Sequence, residues 1–323
     1  PIRRANSAID PSKIKGQVPQ IIGRKTAQEA GIQTMHVNAP RTALDVYDAA
    51  DAPAIDANYV WPDETGPALA QMARGRNVMF YGPAGTGKTT FAKQVAAHFG
   101  RPFVRISCDD QTEASTLVGM TVPDGAGGVK WQDGQLAAAI RRPGTVILVD
   151  EPSVARPGAL FVLQAVMDAD RSLHVAETGE VIPVAPGVLI VLADNTNGTG
   201  DTSGAYEATR RMNRATLDRL GVTVRLDYLT PDREAAVLRD ATGCDRKVAS
   251  TLATFAKATR EGADAGTVSH GIGLRRLMAL AELITDGVTP AMAFQLSCLE
   301  TAPYDDREPL RQMWLAQFPG AAS

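Results

Sequence analysis

Several protein classes are excluded by what this chain has little of. Its three cysteines, Cys108, Cys244 and Cys298, lie far apart and form no CxxC pair. A disulfide framework and a cysteine-type zinc site are therefore not expected. Its four histidines, His36, His98, His174 and His270, have no ligand-like spacing, so no tightly held transition metal is expected either. No run approaches the ~18 apolar residues of a membrane helix; the longest, such as Val188–Ala193, are short. The opening Pro-Ile-Arg-Arg lacks the apolar stretch of a secretory signal, and a soluble cytoplasmic chain is expected. A surplus of positive charge is also missing. Lys+Arg total 33 against 36 Asp+Glu, a net charge of −3, which disfavours a chain built to coat nucleic acid or an anionic membrane.

The 323 residues suffice for two domains, and a hydrophobic share of 44% allows each a core. Residues 1–58 read as an N-terminal extension or linker. They are Ala- and Pro-dotted with little periodicity, and Asp48–Ala57 reads as the linker proper. The extension reads as a partly ordered tail or as an arm that reaches a neighbour. In residues 59–229, short Val- and Ile-rich runs alternate with helical stretches: Val78–Tyr81, Phe103–Ser107, Thr145–Val149, Val188–Ala193 and Val222–Tyr228. Such runs suit parallel strands buried on both faces, which predicts a three-layer α/β/α core. Residues 230–323 contain only helical patterns and predict a small all-helical lid domain.

One motif dominates. Gly82-Pro83-Ala84-Gly85-Thr86-Gly87-Lys88-Thr89 is a complete GxxxxGK[ST] P-loop (Walker A) between a strand and a helix, with Thr90 following. Glycines let successive backbone N–H groups turn toward phosphate oxygens, and the helix N-terminus adds its positive dipole end. Lys88 is expected on the β- and γ-phosphates and Thr89 on Mg²⁺, which makes ATP and Mg²⁺ the expected cofactors. A second apolar strand ends in Asp150-Glu151, a Walker B pattern. Asp150 is expected to hold Mg²⁺ through water, and Glu151 to polarise the attacking water. At the tip of Leu189–Asp194, Asn195 is the candidate γ-phosphate sensor; a turn or cap role is the alternative. Arg219, before the last strand, and Arg275, in Gly273-Leu-Arg-Arg276, are expected to close the exposed side of the site. Arg210, Arg211 and Arg214 compete with Arg219 for the finger role, and surface ion pairing is the plain alternative for each arginine.

With these features in this order, the chain resembles the MoxR-type AAA+ ATPases. Within that group it is similar to the small AAA+ subunit of aerobic cobaltochelatase. The most specific likeness is Asn195-Thr-Asn-Gly-Thr-Gly-Asp201-Thr-Ser-Gly204-Ala-Tyr206 with Met212-Asn213 and Leu217-Asp-Arg219; Phe161–Gln164 and Arg225–Leu229 add to it. The resemblance implies a hexameric ring with ATP between subunits, Arg219 acting in trans and Arg275 in cis or from the lid. Two turn clusters, Val122–Val129 and Leu173–Val184, read as ordinary surface hairpins or as family hairpin inserts facing a pore or a partner with a von Willebrand A-like domain. The implied activity is ATP hydrolysis that remodels a partner protein, including cobalt insertion into a tetrapyrrole. The alternative is a nucleotide-gated adaptor or chaperone module with a non-chelatase client. A DNA-acting motor is disfavoured by the charge.

Overall fold

A computed structural model describes residues 18–200 and 209–319. Within them lie the elements β1 (Ile21–Lys25), β2 (Leu44–Tyr47), α1 (Thr65–Met72), β3 (Asn77–Tyr81), α2 (Lys88–His98), β4 (Phe103–Ser107), α3 (Ala114–Val118), β5 (Gly119–Pro123), β6 (Val129–Asp133), α4 (Gln135–Ile140), β7 (Val146–Asp150), α5 (Pro157–Met167), β8 (Ser172–Val175), β9 (Glu180–Pro183), β10 (Leu189–Asp194), α6 (Arg214–Leu217) and β11 (Leu220–Arg225). Helices alone follow: α7 (Pro231–Thr242), α8 (Arg246–Asp264), α9 (Leu274–Thr285), α10 (Pro290–Phe294) and α11 (Tyr304–Gln317).

The central sheet has the order β11-β3-β10-β7-β4, and every pairing in it is parallel. The interiors of its middle strands are apolar because both faces are covered. Side chains alternate between the faces, as the two-residue period of a strand requires. Val146 and Leu148 of β7, Leu189 and Val191 of β10, and Val78 and Phe80 of β3 join one cluster with Leu69 and Met72 of α1 and Phe91 and Val95 of α2. Ile147, Val149, Ile190, Leu192 and Met79 join the other, under α4 and α5. The three layers follow from that alternation.

Residues 18–57 depart from the tail-or-linker expectation. Ala27, Ile32, Leu44 and Val46 sit in the α1–α2 side of the core. Arg101, 1% exposed, explains how the segment is held. Its guanidinium donates to the carbonyls of Asp45, Gly144 and Gly187 and lies 4.8 Å from the Tyr47 ring centroid. The proposed linker is pinned as well. Gln94 accepts from Asp56 N–H and donates to the Ala54 carbonyl, and Arg142 pairs with Asp51 through both nitrogens. Ala- and Pro-rich composition conceals this anchoring because the partners are backbone carbonyls and residues far along the chain.

Two antiparallel hairpins project from the α4–α5 side, β5–β6 and β8–β9, where the turn clusters predicted them. Arg141, just beyond α4, ties them together: it donates to both carboxylate oxygens of Glu180 at 2.7 Å and to Asp133 at 2.8 Å. After β11 the helices bury a separate cluster around Phe255, Phe294 and Trp314, whose rings pack edge-on and stacked. α10 runs into a π-helical turn at Gln295–Leu299. Among the described residues no helix is long and apolar enough to cross a membrane.

Candidate functional site

The loop after β3 runs straight into α2, so Gly82–Gly87 lie where the strand ends and the helix begins. Gly82 is required there: its φ is 141°, and a Cβ would run into the Leu226 carbonyl of the adjacent β11 exit. Leu226 N–H in turn donates to the Tyr81 carbonyl at 2.7 Å, which locks the loop entrance to the sheet. Gly85 faces the lid. Gly273, the cap of α9, and Leu274, its first residue, approach to 3.6 Å of where a Gly85 Cβ would stand. Tyr59 lies over Gly87 and packs edge-on against Trp61, which itself packs on Phe91 of α2.

Lys88 folds back over this loop. Its ammonium donates to the carbonyls of Gly82 (2.7 Å) and Pro83 (2.8 Å) and to Asn195 Oδ1 (3.1 Å). Burial pulls its pKa down to about 8, with Asp150, Asp194 and Glu151 opposing that shift. Asn195 Nδ2 donates to Glu151 Oε1 at 3.2 Å, so one amide spans the lysine and the glutamate. On the other side, Thr89 Oγ1 lies 3.2 Å from Asp150 Oδ2. A hydroxyl and a carboxylate are the hard oxygens that Mg²⁺ takes, and the pair fits that ion. The sheet explains the meeting: β3, β10 and β7 are adjacent and parallel, so the residues beyond their C-terminal ends converge.

Glu151 has φ 56° and ψ 46°, uncommon for a residue with a Cβ. Two bonds hold it. Its N–H donates to the Ala193 carbonyl at 2.7 Å, and the turn behind it is clamped by Asp194. Asp194, 1% exposed, accepts from Ser153 N–H and hydroxyl and from Thr196 N–H and hydroxyl at 3.0–3.2 Å. The clamp sets both the glutamate turn and the asparagine loop.

The arginines separate. Arg275 lies in the first turn of α9, exposed, on a cleft of about 1310 Å³ between the P-loop, the β11 exit and the lid. It makes no side-chain hydrogen bond or ion pair among the described residues. Arg276 is turned into the lid, where it bonds the Ser297 carbonyl and Thr301. Arg219 lies elsewhere. Its backbone carbonyl accepts from Asn77, the first residue of β3, whereas the P-loop follows the last. That separates Arg219 from its own P-loop by about 13 Å of strand. Its guanidinium is held by Asp168 (2.6 Å) and the Ala215 carbonyl (2.6 Å), and this bond keeps the Asp168 carboxyl below the usual range. Of the competing arginines, Arg210 donates its backbone N–H to the Ser153 carbonyl, Arg211 bonds the Thr199 carbonyl, and Arg214 opens α6 on the surface. Asp201–Tyr206 of the Gly-rich stretch lie outside the described residues.

Four contributors were not singled out from sequence: Arg105, Asp194, Glu234 and Arg260. Arg105 of β4 grips Asp150 Oδ2 through Nε at 2.8 Å and Nη2 at 2.5 Å. Arg260 holds both oxygens of Glu234 at 2.7–2.9 Å, donates to the Ile272 carbonyl just before α9, and stacks 3.7 Å from the Tyr228 ring centroid. Glu234 is 1% exposed, and desolvation raises its pKa despite Arg260. Only Asp194 has a sequence signal, a carboxylate ending an apolar strand. The others meet across elements whose pairing the sequence does not display. Cys108 and Cys298 are buried thiols pushed up to about 12, and among the described residues no cluster of three His, Cys, Asp or Glu is placed to hold a metal.

Two family models match the chain. The AAA domain (dynein-related subfamily) matches residues 77–212, and the CbbQ/NirQ/NorQ C-terminal domain matches residues 234–313. The chain is 33% identical to the aerobic cobaltochelatase subunit CobS of a Sinorhizobium species, over 74% of this chain and 75% of that protein. It is 30% identical to NorQ of Paracoccus denitrificans, covering 79% of this chain and 91% of that one. It is also 30% identical to CbbQ of Hydrogenophilus thermoluteolus, covering 77% and 88%. A mutant of Thermotoga maritima RuvB shares the fold, with a TM-score of 0.50, 16% identity and coverage of 77% of this chain and 73% of that one. This chain belongs to the MoxR-type AAA+ ATPases, in the group that contains CobS, NorQ and CbbQ.

Proposed function

We propose that the chain hydrolyses Mg-ATP in a ring of identical subunits and uses the cycle to remodel a protein client. The observation that carries this reading is the continuous contact Lys88–Asn195–Glu151 beside the Thr89–Asp150 pair. A phosphate-binding cation, a sensor amide and a water-polarising carboxylate are thereby joined, as ATP turnover needs. Gly82 to Thr90 cradle the phosphates and Lys88 binds the β- and γ-oxygens. Thr89 and Asp150 are the groups that hold Mg²⁺, which when bound neutralises phosphate charge. Glu151 orients and deprotonates the attacking water. Asn195 keeps that carboxylate and the γ-phosphate in register.

Arg275 reaches the nucleotide from the lid. Arg219, a strand's length from its own P-loop, serves the nucleotide of the next subunit. The assembly expected from this is a hexamer. The client is a protein with a von Willebrand A-like domain. Three relatives of similar identity carry different names, and only the CobS name points to a cobaltochelatase. Cobalt insertion is the task named for the CobS relative, and here it stands as one client option, with the metal on the partner. A nucleotide-gated adaptor with incidental hydrolysis is the competing reading.

Turnover per chain measured against chain concentration tests the ring. A trans arginine makes specific activity rise as subunits assemble; a concentration-independent rate contradicts it. The protein captured by an ATP-loaded Glu151→Gln chain identifies the client.

A further inference from the structure

We propose that Arg105 is a counter-ion that competes with the divalent cation for Asp150. The inference rests on the Mg-ATP reading above and adds a residue which that reading does not use. Asp150 Oδ2 receives three donors: Arg105 Nε, Arg105 Nη2 and the Thr89 hydroxyl. The strand register brings them together. β4 and β7 run parallel, with Arg105 opposite Leu148 and Ser107 opposite Asp150. Alternation then sends Arg105, Leu148 and Asp150 to the same face of the sheet, the one covered by α2 and therefore by Thr89. An arginine is long enough to span the one remaining step along the strand.

The two partners differ in freedom. The Asp150 side chain is 9% exposed, whereas that of Arg105 is 51% exposed. The carboxylate is fixed by the core and the guanidinium reaches it from solvent at the sheet edge. β4 is the terminal strand of the order, so among the described residues no strand of the sheet lies beyond it. A carboxylate oxygen already neutralised by a two-nitrogen cation is a poorer ligand for a second cation. Arg105 must release Oδ2 before that oxygen can serve a divalent ion or its bound water, and solvent is open to receive it. Linkage makes the relation reciprocal: what weakens Arg105–Asp150 strengthens divalent binding by the same factor. The sign reverses for nucleotide without metal, where Arg105 is a nearby positive charge that favours the phosphates.

A crossed effect is therefore expected of Arg105→Gln. Full-length chains are titrated with a fluorescent mant-ATP in EDTA, and then with Mg²⁺ at fixed mant-ATP. Folding is checked by thermal melting. In Arg105→Gln, mant-ATP binding in EDTA weakens by about fivefold, while half-saturating Mg²⁺ falls by about fivefold. Arg105→Lys, which keeps the charge but loses the two-nitrogen grip, lowers half-saturating Mg²⁺ by less, and it carries the test if the glutamine variant does not fold. Half-saturating Mg²⁺ that is unchanged or higher in the variants overturns the proposal and leaves the Mg-ATP site standing. Wild-type chain that binds no mant-ATP under either condition overturns both.

Discussion

Asn195 touches Lys88 and Glu151 at once, accepting from the ammonium at 3.1 Å and donating to the carboxylate at 3.2 Å. An amide is suited to this position because it alone among short side chains offers an acceptor and a donor on one rigid plane. Asn195→Ala removes both bonds while leaving the P-loop intact. Steady-state kinetics should show kcat down by about 100-fold. Nucleotide affinity by fluorescence titration should change little. Equal losses in both would point to a collapsed loop instead.

Asp194 acts one step further back. Asp194→Asn keeps the size but turns an N–H toward Ser153 or Thr196, where a donor already stands. The left-handed turn at Glu151 then loses its clamp. kcat should fall by about tenfold with nucleotide affinity preserved. Ser153→Ala, which removes one hydroxyl bond and leaves the backbone bond, should cost less.

Much of this site is legible in the sequence, and the division follows sequence distance. The P-loop, the Asp150-Glu151 pair and Asn195 are read directly because each motif is short and ends a buried apolar strand. Arg275 stands at the helix start that the sequence predicts. Arg105, Glu234 and Arg260 are not, since each acquires its role from a partner 26 to 45 residues away, through a strand register or helix packing. The anchoring of segment 18–57 is hidden from the sequence for the same reason. Arg101 holds it through backbone carbonyls, which look alike in every sequence.

The buried lysine predicts a pH dependence. Lys88 has a pKa lowered to about 8, and phosphate binding requires its charged form. Below pH 8 the free chain already carries the proton. Above it, binding must take up a proton, so affinity falls as pH rises. Kd for mant-ATP should be flat from pH 6.5 to 7.5 and rise toward tenfold per unit above about 8.5. Lys88→Ala should abolish binding and with it the slope.

Arg219 can be tested by complementation. On the proposed reading Lys88→Ala lacks a working P-loop and Arg219→Ala lacks the trans arginine, so neither chain alone should hydrolyse ATP. Mixed, they form interfaces with an intact P-loop from one chain and an intact arginine from the next. Activity should reappear on mixing; silence at every ratio would assign the finger to another residue.

The lid depends on the Glu234–Arg260 pair. Glu234→Ala leaves a buried guanidinium without its carboxylate, at a cost of about 3–5 kcal/mol. Chemical denaturation should show the helical region losing stability by that order. The Ile272 carbonyl bond, just before α9, should loosen with it, and on the proposed reading of Arg275 nucleotide binding should weaken.

Glu151→Gln is the most direct measurement of all. The substitution keeps the shape and the Asn195 contact but removes the base. Single-turnover and steady-state ATPase assays should show ATP bound as tightly as in wild type and turnover lower by about 1,000-fold or more. Turnover at the wild-type rate in Glu151→Gln would contradict the account at its centre.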